Sequence, residues 1–116
     1  MKRLRLSLLA ALLALAAAAP APALARFHAC KPVRDPYPHS RYAHVDLTRI
    51  RASAAVSCTA ARRVARGAHR KALRIGTGAA PRRFLMWHGW TVTGDLESDH
   101  DRYVARKDDR QVRWRF

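Results

Sequence analysis

Two cysteines, Cys30 and Cys58, are the residues of this chain with the most definite chemistry. In an exported protein a pair of cysteines is expected to form a disulfide, because nothing outside the cytoplasm keeps thiols reduced. The alternative is a free Cys58 that acts as a nucleophile beside a histidine, which requires an unpaired thiol. We therefore predict a Cys30–Cys58 disulfide; the sequence leaves open whether it forms within one chain.

Acid–base chemistry would have to use histidines and carboxylates near the C-terminus. His88 or His100, with Asp99 or Asp101, would supply the imidazole and carboxylate of a small hydrolase or nuclease. Such groups must lie within hydrogen-bond reach of each other and of a substrate, and proximity in sequence does not establish that. We predict no catalytic residue and keep a secreted enzyme as the alternative.

Metal-ligating patterns are weak. Three histidines, which are His28, His39 and His44, lack the close pairwise spacing of a zinc site. The acidic run 95–101 alternates carboxylates as a calcium loop does, but an EF-hand-like loop needs Gly at its sixth position and Glu at its twelfth. This chain has His100 and Arg106 there. The sequence predicts a solvated hairpin loop, with no metal and no cofactor.

Arginine dominates the charge, since 23 Lys and Arg face 8 Asp and Glu for a formal net charge of +15. This excess attracts polyanions such as nucleic acid, anionic lipid headgroups or acidic wall polymers. A compositional bias toward arginine is the alternative explanation. The candidate polyanion-binding residues fall on a predicted helix and in the last predicted strand; they are Arg62, Arg63, Arg66 and Arg70, and Arg113 and Arg115.

The N-terminal residues predict export. Residues 1–25 combine a basic start, an apolar run and an Ala-Leu-Ala site before Arg26, which is typical of a cleaved secretory signal peptide. The apolar run is about 14 residues long, shorter than the roughly 20 that span a bilayer, so a membrane anchor is disfavoured. We predict cleavage near Ala25 and a secreted, extracellular protein.

The remaining chain predicts one small domain. Residues 26–44 are predicted to be irregular and to lie over the domain rather than in its sheet, because Pro32, Pro36 and Pro38 break helices and central strands. Residues 45–116 are predicted to form an α+β domain.

The predicted helix starts at Ser57, whose hydroxyl is a good N-cap. Small residues recur along one side at helical spacing, which lets the helix lie close to a sheet. They are Cys58, Ala61, Val64, Ala65, Ala68 and Ala72. The helix ends at Gly67, which costs about 1 kcal/mol relative to Ala in mid-helix, or continues to Leu73.

Alternating apolar and polar residues predict an antiparallel sheet of about three to four strands. The first covers 45–51 and the next lies around Trp90, after a loop at 75–83. The last two form a hairpin that turns at 108–109.

A helix start of the form Val56-Ser57-Cys58-x-x-Ala-Arg, followed by Gly89-Trp90 and a closing strand rich in Val and Arg, resembles a group of small secreted actinobacterial proteins of uncharacterised function. That group carries two further cysteines, at positions that correspond to Val92 and Ala105 here. The resemblance implies that those cysteines pair in the group, and hence that Val92 and Ala105 face each other on adjacent strands.

These observations predict a secreted, disulfide-stapled, monomeric domain that binds a partner without catalysis. Anionic polymers and the cell envelope are the classes of partner that its charge favours. A cationic antimicrobial protein is a second alternative. It would need a helix with bulky apolar residues opposite its cations, and the apolar side of this helix is alanine.

Overall fold

The computed structural model describes residues 26–75, 81–97 and 100–116, which form one helix packed on one antiparallel sheet. The α+β class and the antiparallel sheet agree with the sequence prediction, but six strands are present where three to four were expected. The elements in chain order are β1 (Phe27–Ala29), β2 (Thr48–Ser53), α1 (Cys58–Ile75), β3 (Arg82–Trp87), β4 (Trp90–Leu96), β5 (Asp101–Lys107) and β6 (Arg110–Arg115).

Three predictions concern residues outside these ranges. The signal peptide at 1–25, the centre of the loop at 75–83 and the tip of the acidic loop all lie there. Within the described ranges no helix is both long and apolar enough to cross a membrane.

The N-terminal segment supplies one of the additional strands. Its first residues were expected to be irregular, but they form β1, in which Phe27 pairs with Ser53 of β2. The Cys30 amide then donates a hydrogen bond to the Ile50 carbonyl over 2.8 Å. The prolines that argued against a strand begin only at Pro32, so they follow β1 and do not interrupt it.

A second additional strand comes from the apolar stretch around Trp90. This stretch is two strands, β3 and β4, which pair along their whole length from Arg82–Asp95 to Trp87–Trp90. The turn between them is His88-Gly89, and both residues have positive φ, 45° and 80°. Positive φ at both central residues is the geometry of the two-residue hairpin turns that fit the twist of antiparallel strands.

The helix starts as its sequence indicates. The Ala60 amide donates to the Ser57 hydroxyl over 3.1 Å, which is an N-cap. The small-residue side of α1 is buried, with Ala61, Ala65, Ala68 and Ala72 all at 0% exposure. The helix continues past Gly67 to Ile75. Gly67 has a packing role, because the indole of Trp87 occupies the space that a Cβ would need.

Replacing Gly67 with Ala is expected to destabilise the protein, although Ala is the better helix former. An added Cβ would overlap the Trp87 ring, so the ring or the helix must shift. Overpacking of this kind costs about 1–3 kcal/mol, which exceeds the gain of about 1 kcal/mol in helix propensity. Urea unfolding of Gly67→Ala tests this, with the exposed Arg66→Ala as the matched helix control. Stabilisation of the Gly67 variant would contradict it.

The order of the strands gives the sheet two different faces. The order is β1-β2-β6-β5-β4-β3, so β2 and β3, which flank α1 in the chain, lie four strand positions apart. The helix, about 27 Å long at 1.5 Å per residue, crosses the sheet between them. Val92 and Ala105 are direct cross-strand partners and fully buried under it, as the resemblance implied.

One face of the sheet is therefore covered. Alternate strand residues such as Ile50, Trp114 and Leu85 point toward α1 and form the core with its alanines. The N-terminal segment closes one end of this side, where Tyr37 packs on Phe116. The intervening strand residues point to the opposite side, which we call the open face.

Candidate anion-binding face

The two cysteines form the predicted disulfide within one chain. Cys30 follows β1 and Cys58 is the first residue of α1, with their Cα atoms 5.3 Å apart. His28 lies beside them, its Nδ1 3.6 Å from the Cys58 sulfur. Because the two sulfurs are bonded to each other, neither is available as a nucleophile or as a thiolate ligand. The role of the disulfide is to link β1 to the start of α1.

The predicted arginines divide between two sides of the protein. Arg63, Arg66 and Arg70 are exposed on the outer side of α1, away from its buried alanines. Arg62 is only half-exposed and donates to the Pro32 carbonyl over 3.3 Å, which gives it a structural role. Arg113 lies on the open face, alternating with the buried Trp114. The helix and strand arginines thus form two surfaces rather than one.

The open face gathers more arginines than the sequence singled out. Five of them line a partly open depression of about 370 Å³ that lies over β2, β6, β5 and β4. We call this set the arginine cluster; its members are Arg49, Arg51, Arg102, Arg113 and Arg115. Arg113 and Arg115 were predicted from sequence as candidate sites, and the other three were not.

Strand register brings these positive charges together. Arg51 of β2 is directly opposite Arg113 of β6, and Arg115 of β6 is directly opposite Arg102 of β5. Neighbouring strands are about 4.8 Å apart, and like charges at directly opposed positions destabilise a sheet. Two such pairs side by side create a local positive potential, and a bound anion would reduce the repulsion between the arginines.

Arg49 enters the cluster through an irregularity in β2. The register between β2 and β6 shifts between Thr48 and Arg51, so β2 contains a bulge, and Arg49 within it has φ of 49°. Positive φ is unfavourable for a residue with a Cβ and is found where surrounding structure imposes it. Bulges commonly redirect a side chain at binding sites, and this one adds Arg49 to the lining of the depression.

Few carboxylates neutralise the cluster. Asp95 lines the depression, but its carboxylate is paired with Arg82 Nε at 3.3 Å. Glu97 lies 3.6 Å from Arg102 Nε. In the part of the chain that the structure describes, no carboxylate lies within ion-pair distance of the other four arginines of the cluster. The Arg113 guanidinium instead lies over the Phe27 ring, 4.4 Å from its centroid.

Of the four candidate acid–base groups, the structure describes His88, His100 and Asp101. His88 lies in the β3–β4 turn, and Asp99 is outside the described residues. His100 Nε2 lies 3.5 Å from Glu97, a residue that was not a candidate. Burial raises the pKa of Asp101, while the positive charge of Arg83 and of His100 acts in the opposite direction.

A buried histidine on the covered side was not found from sequence. His69 of α1 is fully buried, and its Nδ1 forms a hydrogen bond of 2.6 Å with the Tyr37 hydroxyl. Its ring packs against Tyr103 and Phe116 at centroid distances of 5.0 and 4.2 Å. Burial, reinforced by the positive charge of Arg83, lowers the pKa of His69 to about 3. This neutral imidazole is part of the core.

Comparison of the chain with protein-family models, with curated proteins and with solved structures found no match. What the site can do therefore follows from its geometry alone. The arginine cluster offers guanidinium groups, which are planar forks of donors that bind phosphate, sulfate or carboxylate through two hydrogen bonds at once.

Proposed function

We propose that this protein is a secreted, non-catalytic binding protein that holds an anionic polymer on the open face of its sheet. The observation that carries the proposal is the pair of like-charged cross-strand contacts, Arg51–Arg113 and Arg102–Arg115. A sheet selected only for stability would place opposite charges at such positions. Bound anionic groups would compensate this repulsion.

The extent of the cluster favours a polymer over a single small anion. Its arginines come from three adjacent strands, β2, β6 and β5, and so span about 10 Å at the usual strand spacing. Several anionic groups in series match this width better than one phosphate would.

The alternative functions have less support. An antimicrobial mode of action needs an accessible apolar helix face, and the corresponding residues of α1 are buried under the sheet. A nuclease would use the contact between His100 and Glu97 beside Arg102, at the rim of the cluster. That contact is the observation that favours a nuclease, and Glu97→Gln tests it. If the protein cleaves an oligonucleotide and Glu97→Gln abolishes that cleavage, the non-catalytic proposal is wrong.

The proposal predicts that Arg113→Ala/Arg115→Ala will weaken binding to inorganic polyphosphate about 10- to 100-fold near 0.1 M salt. Each lost phosphate contact should also reduce the slope of log affinity against log salt by about 1, and so by about 2 for the pair. Isothermal titration calorimetry at several salt concentrations measures both. Thermal stability should change little, because the variant loses two like-charge contacts and also the contact of Arg113 with the Phe27 ring.

The matched control is Arg63→Ala/Arg66→Ala, which removes the same charge from the exposed side of α1. This variant should retain most of the affinity and of the salt slope. If the two double variants lose affinity equally, the positive charge acts only through its total and the open face is not the binding site.

A further inference from the structure

We infer that the polymer bound on the open face is a single-stranded nucleic acid, an inference that rests on the proposed function. The observation behind it is an exposed apolar strip at the far side of the same face. Phe84 and Met86 of β3 are 70% and 54% exposed, the former being the most exposed large hydrophobic residue in the described ranges. Both point away from the buried Leu85, and hence to the open face.

A continuous path connects Phe84 to the arginine cluster. The strand register aligns Phe84 with Thr93, Val104 and Arg113 in one cross-strand row. Arg51 continues this row on β2. Three strand spacings separate Phe84 from Arg113, about 14 Å, a distance that a few extended nucleotides span.

The chemistry of this row suits bases at one end and phosphates at the other. Thr93 and Val104 between the two ends are uncharged and only half-buried, so a chain laid across the sheet meets no carboxylate in this row. Proteins that bind single strands combine a positive track for the backbone with aromatic side chains on which bases stack. Phe84 supplies such a ring, and the five arginines supply the track.

Other anionic polymers use only part of this surface. A polyphosphate, or a sulfated or carboxylated glycan, would engage the arginines and leave Phe84 and Met86 in water. Base-specific reading of a duplex usually needs an element that enters a groove. The only helix in the described ranges lies on the opposite side of the sheet. A single strand with unstacked bases uses both ends of the row.

The test compares two labelled 12-mers that carry the same number of phosphates, oligothymidylate and an abasic oligonucleotide, by fluorescence anisotropy at fixed salt. The wild-type protein should bind the thymidylate about 5- to 100-fold more tightly, which corresponds to stacking of one base. Phe84→Ala should remove this preference and leave the abasic affinity unchanged. Ile75→Ala, which truncates an exposed apolar residue at the end of α1, is the matched control and should keep the preference.

Arg113→Ala/Arg115→Ala should weaken binding of both oligonucleotides together. Equal affinity for the two oligonucleotides, with Phe84→Ala silent, would overturn the nucleic-acid inference and leave the proposed function intact. Failure to bind either oligonucleotide or polyphosphate would overturn the proposed function itself. Binding to phosphatidylglycerol vesicles that requires Phe84 and Arg113, without a preference for thymidylate, would assign the face to a membrane and overturn the inference.

Discussion

Replacing both cysteines, Cys30→Ala/Cys58→Ala, is expected to lower the free energy of unfolding by about 3–4 kcal/mol. The bond joins residues 28 positions apart, and loss of a loop of that size releases chain entropy in the unfolded state. Small domains have total stabilities of roughly 5–15 kcal/mol, so the loss is a large fraction. Urea unfolding of the double variant and of the oxidised wild-type protein measures it.

The location of the disulfide predicts which part of the fold loosens. Cys30 directly follows β1, a strand of three residues that pairs with β2 alone. Hydrogen exchange in the variant should therefore rise first in β1 and in the segment around Val33, while the β5–β6 hairpin stays protected. Equal stability of variant and wild type, or uniform loss of protection, would contradict this role. The double variant avoids the free thiol that either single variant would leave.

The parts of the fold that sequence predicts well are local. The N-cap at Ser57 and the alanine side of α1 depend on spacing within one helix, and the structure confirms both. The hairpin is also local, because a two-residue turn at 108–109 fixes which residues of β5 and β6 are opposed. Arg102 opposite Arg115 could have been derived from that turn.

The remainder of the arginine cluster depends on long-range pairing. Arg51 meets Arg113 only because β2 lies next to β6, and no pattern within either strand specifies that neighbour. Arg49 depends on a bulge, which shifts a side chain by one position relative to simple alternation. The outward-facing arginines of β6 could thus be predicted from the sequence, whereas the arginines that join them from β2 depend on the order of the strands.

The turn at His88-Gly89 and the buried His69 each had a signal in the sequence, but the type of the residues concerned obscured it. His88-Gly89 is a two-residue turn sequence, but the apolar residues on both sides of it suggested one continuous strand. His69 lies at helical spacing from Ala65 and Ala72, on the buried side of α1. Its polar side chain argues for solvent, and its hydrogen-bond partner Tyr37 comes from the N-terminal segment, which no pattern within α1 indicates.

His69 predicts a marked loss of stability in mild acid. Its pKa is lowered to about 3 in the folded protein, from 6.5. The folded state therefore keeps the imidazole neutral while the unfolded state takes up a proton below pH 6.5. Stability is fully present above that pH and falls as the pH drops toward 3. Between pH 7 and 4.5 this group alone should lower the free energy of unfolding by about 2–3 kcal/mol.

The hydrogen bonding around the ring supports this direction of the shift. Nδ1 is hydrogen-bonded to the Tyr37 hydroxyl, and Nε2 is buried without a partner among the described residues. A second proton on the ring would place a charge in this buried site, where it loses hydration and lies near Arg83. Asp101, whose pKa is raised, acts oppositely on stability as the pH falls, so the effect of His69 must be measured as a difference between variants.

His69→Gln isolates that difference, because the amide can hydrogen-bond to the Tyr37 hydroxyl as donor or acceptor but does not titrate. Urea unfolding at several pH values between 7 and 4.5 should show a smaller dependence on pH for this variant than for the wild type. His39→Gln, which replaces an exposed histidine, should leave the dependence unchanged. In the native protein the NMR shifts of the His69 ring should stay constant down to about pH 4. Titration of that ring near pH 6.5 would contradict the prediction. It would mean that the imidazole is exposed to solvent rather than packed beneath Tyr37, so that its protonation does not destabilise the folded state.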